Sequence, residues 1–253
     1  MTFLFYFFIF FLGLVVGSFL NCVICRLERG ESFLKGRSYC PRCKHQLSWP
    51  DLIPVFSFII LRGRCRYCSQ KISWQYPLVE IAAGLLFILE FWKFGFVLDF
   101  GFWILISCFL VVIFVYDLKH YLIPDKVVFP AIAIALLWAL LAPGKQQPGV
   151  IYSAAAAAGF FASVVLISRG KWMGVGDIKL AFLMGLILGF PDIVAALFLA
   201  FFFGAIMGMG LIMLGKKKLK SEVPFGPFLV AGTLLSLFWG ETALDWYFNL
   251  FLL

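Results

Sequence analysis

The chain has 253 residues, of which 63% are hydrophobic and 13% charged, and it carries a formal net charge of +8. With a mean hydropathy of +1.01, this composition excludes a soluble domain. The positive charge gives no reason to expect a nucleic-acid partner, because basic loops on one side of a membrane and their attraction to anionic lipids account for it. We therefore predict an all-helical protein that crosses a membrane several times.

Eight apolar stretches follow one another along the chain, most of them near the ~20 residues that a helix needs to cross a bilayer. They cover roughly 2–25, 76–98, 100–116, 127–144, 146–168, 180–191, 193–215 and 223–240. Charged residues interrupt the second stretch, and one of them, Glu90, is expected near the outer end of its helix in contact with solvent. The split at Pro191-Asp192 has a kink within one helix as its alternative. The stretches predict eight membrane-spanning helices.

Basic residues fix the predicted orientation. Ten of the 21 lysines and arginines fall within residues 26–75, nine fall in the loops at 117–126, 169–179 and 216–222, and only Lys93 and Lys145 lie on the other side. Cytoplasmic loops carry the excess of basic residues in membrane proteins. The first segment has no positive flank and no small-residue cleavage site, so it is expected to stay in place as a helix. The pattern predicts a multi-pass protein of the cytoplasmic membrane with its basic loops inside.

The loop of residues 26–75 is polar and contains two CxxC pairs. Cys40 and Cys43 form the first, and Cys65 and Cys68 form the second. Two such turns place four thiolates around one ion, as in structural zinc sites that leave no open position for catalysis. The loop has few apolar residues and so gains little free energy from burying them, and a bound metal would supply the folding free energy instead. Disulfides are the alternative, which the predicted reducing compartment disfavours.

Two aspartates lie where an apolar run meets a basic loop on the predicted cytoplasmic side. Asp117 ends the third predicted helix, and Asp177 is placed to cap the sixth. Gly174 and Gly176, just before Asp177, are expected to permit unusual backbone angles and close approach of a substrate. Two neighbouring carboxyl groups that share one proton can hydrolyse a peptide, one as base on water and one as acid toward the carbonyl oxygen. This pattern favours an aspartic protease.

The same residues are also compatible with three other functions: a structural role, proton-coupled transport and a non-catalytic scaffold. The aspartates have a purely structural alternative, in which they cap helices or pair with Lys119 and Lys179. A proton-coupled transporter would use Asp117, Asp177 and Glu80 as a relay, and a zinc-loop scaffold would have no chemistry. The absence of an internal repeat and the position of the aspartates at one surface disfavour the transporter. Neither GxSxG nor HExxH occurs in the sequence, which removes support for a serine or zinc protease.

Several segments, in order along nearly the whole chain, resemble the type IV prepilin peptidases, membrane aspartyl proteases with a GxGD motif. In the carboxy-terminal part they are Asp117 to Asp125, Gly174 to Lys179 and Pro224 to Phe228. In the amino-terminal part they are Gly17 to Asn21, the paired CxxC loop, Pro50 to Pro54 and Tyr76 to Glu80. These last segments resemble the amino-terminal domain of the bifunctional members of that family.

The resemblance implies an activity and two domains. The activity is removal of the basic leader from prepilins and pseudopilins at the cytoplasmic membrane face, followed by N-methylation of the new first residue with S-adenosylmethionine as donor. Residues 1–98 would form the amino-terminal domain, with which methylation is associated, and residues 99–253 the peptidase. The implied partners are these substrates and the membrane lipids.

The resemblance also implies roles for individual residues. Asp117 and Asp177 take the catalytic roles. Independently of the resemblance, the nearby positive charges of Lys119, Lys126 and Lys179 are expected to lower the proton affinity of the pair. Glu80 takes a role in methyl transfer, with a structural ion pair as its alternative. Binding the substrate or shaping the active site falls to Gly174, Gly176, Lys179, Pro224 and Gly226.

Overall fold

The structure, a computed structural model, describes residues 2–32, 36–141, 147–213 and 223–251. In these ranges the chain is helical, with no strand and only two isolated bridges in the loop after the first helix. The helices are α1 (Thr2–Glu28), α2 (Phe56–Ile60), α3 (Gln75–Phe94), α4 (Leu98–His120), α5 (Asp125–Leu141), α6 (Gln147–Ser168), α7 (Val175–Leu188), α8 (Asp192–Met213) and α9 (Gly226–Phe251). The predicted all-helical class is confirmed.

Each of the eight predicted stretches corresponds to one helix of the described ranges, and the remaining helix, α2, belongs to the long loop. Four of the eight, α1, α4, α6 and α8, are long and apolar enough to cross a membrane. The 14 residues of α7 extend only about 21 Å, less than the ~30 Å of a hydrocarbon core. The eight crossings therefore stay a prediction. The basic residues at 216–222 and Lys145, on which the predicted orientation partly depends, lie outside the described residues.

The helices α7 and α8 are separate, so the predicted split at Pro191-Asp192 is confirmed over its kinked alternative. The first of them ends at Leu188, and Gly189 follows with a φ of 74°. The N–H of Gly189 donates to the carbonyl of Gly185. A glycine in this left-handed conformation commonly closes a helix.

The chain forms two compact units, Met1–Val112 and Ile113–Leu253. In the first, α1 packs along α3, and in the second, α7 packs against α5, α6 and α9. The contact of α1 with α3 is close because it is lined by glycines. A Cβ at Gly13 would lie 2.6 Å from the Cα of Gly84, and one at Gly17 would lie 2.7 Å from the Cα of Glu80. Small residues allow membrane helices to approach in this way, and here they fix the position of Glu80.

Glu90 is buried, so the prediction that solvent reaches it is wrong. Its side chain has no exposed surface, and the hydroxyl of Ser107 on α4 donates a hydrogen bond to it. The reason is the return of the chain after α3. A turn that begins at Gly95, with a φ of 67°, brings α4 back over the carboxyl group. The position of Glu90 along α3 does not show that another helix packs over it.

Candidate active site and metal centre

Asp177 lies in the first turn of α7, and its carboxylate accepts a hydrogen bond from the N–H of Gly174 at 3.1 Å. The first N–H groups of a helix have no partner within the helix, so this bond satisfies one of them. The residue is 8% exposed. Asp177 thus caps α7 as expected, but it does so from the third helical residue, because Gly174 occupies the N-cap position.

Asp117 lies near the end of α4 and is 4% exposed. Its carboxylate accepts a hydrogen bond from the backbone N–H of Gly226, the first residue of α9. A Cβ at Gly226 would lie only 2.5 Å from Oδ2 of Asp117. Any residue other than glycine would therefore displace this carboxyl group.

The fold brings the two aspartates together. The carboxyl group of Asp117 interacts electrostatically with that of Asp177, although the two are far apart in the sequence. Each has one backbone N–H as a hydrogen-bond donor, and both are largely buried. In such a pair, protonation of one group depends on the other. The two carboxyl groups are therefore close enough to influence each other's charge, which is what a pair that shares one proton requires.

The two glycines before Asp177 do not adopt unusual backbone angles, and that part of the prediction is wrong. Gly174 is extended, with φ −85° and ψ 157°, and Gly176 is an ordinary helical residue of α7. The small size of Gly176 has a different reason. A Cβ there would lie 3.0 Å from the Cβ of Ile123, so the glycine lets the start of α7 pack against the segment before α5.

Lys179 pairs with Asp125, and not with Asp177 as the structural alternative supposed. Its Nζ lies 2.5 Å from Oδ1 of Asp125 and 5.0 Å from the ring centroid of Phe129. The lysine thus links α7 to the start of α5. Because Asp125 compensates its charge, Lys179 has less influence on the aspartate pair than the sequence suggests.

The start of α9 is anchored by an aromatic cluster that was not predicted from the sequence. Pro224 precedes the helix, and the ring of the next residue, Phe225, lies 5.0 Å from that of Phe201 and 6.2 Å from that of Phe161. This anchoring holds the N–H of Gly226 in position to donate a hydrogen bond to the carboxylate of Asp117. The excess of phenylalanine, 32 in the chain, was a signal of packing but did not indicate which rings meet.

The four cysteines that the sequence singles out lie together. The Sγ atoms of Cys40, Cys43, Cys65 and Cys68 are all within 4.8 Å of one another, and those of Cys40 and Cys68 are 3.8 Å apart. Four thiolates at ~2.3 Å from a zinc ion form a tetrahedron with edges of about 3.8 Å. A disulfide needs ~2.05 Å between its sulfur atoms, so the geometry suits a metal ion and not the disulfide alternative.

Two turns of the same geometry present these thiolates. The N–H of Cys40 and that of Cys65 each donate to the carbonyl group five residues later, at 2.9 and 2.8 Å. The residue after the second cysteine of each pair has a positive φ, 59° for Lys44 and 55° for Ser69. Side chains other than glycine rarely adopt this conformation, so the sequence predicts the thiolates but not the turns.

Glu80 lies in the second turn of α3 and is 6% exposed. Its Oε2 accepts a hydrogen bond from the N–H of Val55 at 2.7 Å, and Ser18 of α1 also donates to it. Among the described residues Glu80 forms no ion pair, so the structural alternative for this residue is not observed.

Comparison with known proteins covers both units. Residues 11–94 match the family described as the bacterial peptidase A24 N-terminal domain, and residues 104–209 match the type IV leader peptidase family. A prepilin leader peptidase/N-methyltransferase of Bacillus subtilis is 30% identical over 242 residues, which cover 96% of this chain and 97% of the relative. The chain belongs to the type IV leader peptidase family.

Other relatives of this family are equally similar along their length. Proteins with the same name from Stutzerimonas stutzeri and Legionella pneumophila are 32% and 31% identical, and the matches cover 91% and 93% of this chain and 89% and 91% of the relatives. No solved structure matches the chain. The leader peptidase match contains Asp117 and Asp177, and the N-terminal match contains Glu80 and the four cysteines.

Proposed function

We propose that this protein cleaves the basic leader from type IV prepilins and pseudopilins and then methylates the new N-terminus. Asp117 and Asp177 are its catalytic residues. The observation that carries the proposal is the electrostatic interaction between these two buried carboxyl groups in a chain whose relatives are named for this pair of activities. Family membership gives no support to the transporter or the scaffold.

The chemistry follows from a pair that holds one proton. The ionised carboxylate takes a proton from water as the water oxygen attacks the scissile carbonyl carbon, and the protonated carboxyl group donates to the carbonyl oxygen. The tetrahedral species then collapses and the C–N bond breaks: the carboxyl group that took the water proton gives it to the leaving nitrogen, and the other carboxylate takes a proton from a hydroxyl group as the new carboxyl group forms. Both carboxyl groups return to their starting states, so no covalent enzyme intermediate forms.

The active site faces the cytoplasm. The support for this is the charge pattern, since Asp117 is followed by Lys119 and Lys126 and Asp177 by Lys179, in loops on the basic side of the chain. A substrate with a basic leader and an apolar helix would lie with its scissile bond at that membrane surface. The protein is thus a multi-pass protein of the bacterial inner membrane with the site and the four-cysteine loop inside.

Methyl transfer belongs to residues 1–98, and cleavage to residues 99–253. The methyl donor is S-adenosylmethionine. The cysteine cluster holds Zn²⁺ in a structural role, because four thiolates fill the tetrahedral shell and leave no position for a reacting group. Around the aspartate pair, Gly174, Gly176, Pro224 and Gly226 shape the site.

Mass spectrometry of a prepilin incubated with the purified protein and S-adenosylmethionine tests both activities. Loss of the leader and gain of one methyl group are separate mass changes. We expect Asp177→Asn to lower the cleavage rate by about 10³-fold. Asp99→Asn is the matched control, because Asp99 lies in the first turn of α4, outside the proposed site. Unchanged cleavage by the Asp177 variant would refute the peptidase assignment.

A further inference from the structure

The short helix α2, in the middle of the four-cysteine loop, has an apolar outer face. Phe56, Ile59 and Ile60 are each more than half exposed, and positions i, i+3 and i+4 lie on the same side of a helix. The other side of α2 faces the first unit, where Ser57 and Phe58 line a cavity. Adjacent large apolar side chains that remain exposed in the folded chain mark a surface that contacts a membrane or another protein.

Two contacts fix α2 beside the start of α3. The ring of Phe58 lies 4.9 Å from that of Trp74, which is the N-cap residue of α3. The N–H of Val55, directly before α2, donates to the carboxylate of Glu80 at 2.7 Å. Val55 has a φ of 60° and a ψ of −49°, and a β-branched residue keeps such a conformation only where its surroundings require it. The depth of α2 in the molecule is therefore that of the first two turns of α3.

The start of α3 lies at the surface of the membrane. Trp74, Leu78, Ile81 and Leu85 are exposed, and their spacing of three or four residues places them on one face. Because α3 packs along α1, which is long and apolar enough to cross a membrane, this face is in contact with lipid. Tryptophan is enriched where a membrane meets water, and Trp74 stands at that end of the face. The contact of Phe58 with Trp74 thus brings α2 to the same interface.

Positive charge follows α2 directly along the chain. Arg62, Arg64 and Lys71 are exposed, and an antiparallel bridge places Arg64 opposite Lys71. Within the part of the chain that the structure describes, none of the three forms an ion pair. Basic residues next to a membrane are attracted to anionic headgroups. An apolar face with uncompensated positive charge beside it is complementary to an anionic lipid surface.

We propose that α2 is an interfacial anchor that binds anionic phospholipids. Phe56, Ile59 and Ile60 insert between the acyl chains. Arg62, Arg64 and Lys71 contact the headgroups. The four-cysteine loop is thereby held to the membrane at α2 as well as at its two ends. The assignment to the cytoplasmic leaflet rests on the orientation in the proposed function, whereas the contact with lipid does not depend on the reaction that the protein catalyses.

Photo-cross-linking from α2 tests the anchor. The full chain, with p-benzoylphenylalanine in place of Phe56 or of Ile60, is reconstituted in vesicles of phosphatidylcholine and phosphatidylglycerol at a molar ratio of about 7:3. Both side chains are exposed, so the larger ring requires no repacking. After irradiation, mass spectrometry should find about 10-fold more phospholipid adducts at these positions than at Gln46. Gln46 is the matched control, because it lies in the exposed, polar segment of residues 41–46 in the same loop.

The identity of the adducts tests the charge. Phosphatidylglycerol should be captured about 3-fold above its share of the mixture, and Arg62→Gln, Arg64→Gln and Lys71→Gln together should return the capture to that share. Capture in proportion to the mixture by the chain without these changes would overturn the headgroup contact.

Irradiation in bacterial cells distinguishes lipid from a protein partner. Phospholipid adducts there would support the anchor, whereas a cross-linked protein in their place would overturn it. Adduct yields at Phe56 and Ile60 no higher than at Gln46 would also overturn it. The two positions are independent, so if one variant does not accumulate in the membrane, the other still decides the result. Prepilin cleavage in the same vesicles reports on the proposed function separately, because neither position belongs to the unit that contains the aspartate pair.

Discussion

The aspartate pair and the four-cysteine loop are held in place by different means. Asp117 and Asp177 lie on long helices, and each accepts an N–H group from a helix start. In the part of the loop that the structure describes, no helix is longer than the five residues of α2, and four clustered thiolates and the ion pair of Asp51 with Arg66 connect its segments. Helix packing therefore maintains the first site, whereas the second is expected to come apart without the proposed metal.

Replacing Gly226 by alanine tests the helix-built site and should have the largest effect of the substitutions outside the two aspartates. The added Cβ would lie 2.5 Å from Oδ2 of Asp117 and push the carboxyl group out of position. Misplacement of a catalytic group by about 1 Å costs about 100-fold in rate, and we expect prepilin cleavage to fall by that factor. Gly208→Ala is the control, because nothing lies within 4 Å of a Cβ there. Full activity of the Gly226 variant would mean that this contact does not position Asp117.

Removing the metal tests the loop-built site. Wild-type protein should contain one zinc ion per chain by mass spectrometry, and Cys65→Ser should contain almost none. If the metal supplies the folding free energy of the loop, as proposed, trypsin should then cut the variant at Arg42, Arg64 or Arg66. Cys108→Ser, a change in α4 outside the cluster, should keep the zinc. Zinc-free wild-type protein with a protease-resistant loop would contradict this account.

Gly17→Ala tests the contact of α1 with α3 that positions Glu80. Its Cβ would lie 2.7 Å from the Cα of Glu80, so the helices must separate. Such overpacking costs ~1–3 kcal/mol, which we expect as a loss in the free energy of unfolding measured in detergent. Gly101→Ala, where nothing lies within 4 Å of a Cβ, should leave it unchanged. Equal stability of the two variants would show that the helices can shift at no cost.

Lys179→Met should have the smallest effect. The side chains of Lys179 and Asp125 are 26% and 59% exposed, and ion pairs of this kind contribute at most ~1 kcal/mol. Since Asp125 already compensates the lysine, we expect the pH profile of cleavage to stay in place. A clear shift of the profile toward higher pH would instead assign Lys179 the role in lowering proton affinity that the sequence suggested.

The sequence was sufficient for features that depend on local patterns. Apolar runs predicted each long helix, and the spacing of Cys40, Cys43, Cys65 and Cys68 predicted the cluster. Features that depend on contacts between distant segments were not predictable in the same way. The packing of α4 over the side chain of Glu90 is one such feature.

The close approach of Gly226 to Asp117 is another feature that only the folded chain reveals. Backbone conformation is a third, because nothing in the chain marks Val55, Lys44 or Ser69 as left-handed. Gly174 and Gly176 show the converse: glycine was expected there to allow unusual backbone angles, and neither residue adopts them. The presence of a glycine in the sequence does not show whether a turn or a packing contact requires it. At Gly176 it is a packing contact with Ile123.

The most direct test of the central claim compares the prepilin cleavage rates of Asp117→Asn, Asp177→Asn and the double variant. Residues that act as a unit have non-additive effects on rate. The account predicts a loss of about 10³-fold in either single variant and no further loss in the double variant. Substantial cleavage by either single variant, or multiplication of the two losses in the double variant, would contradict a single catalytic pair.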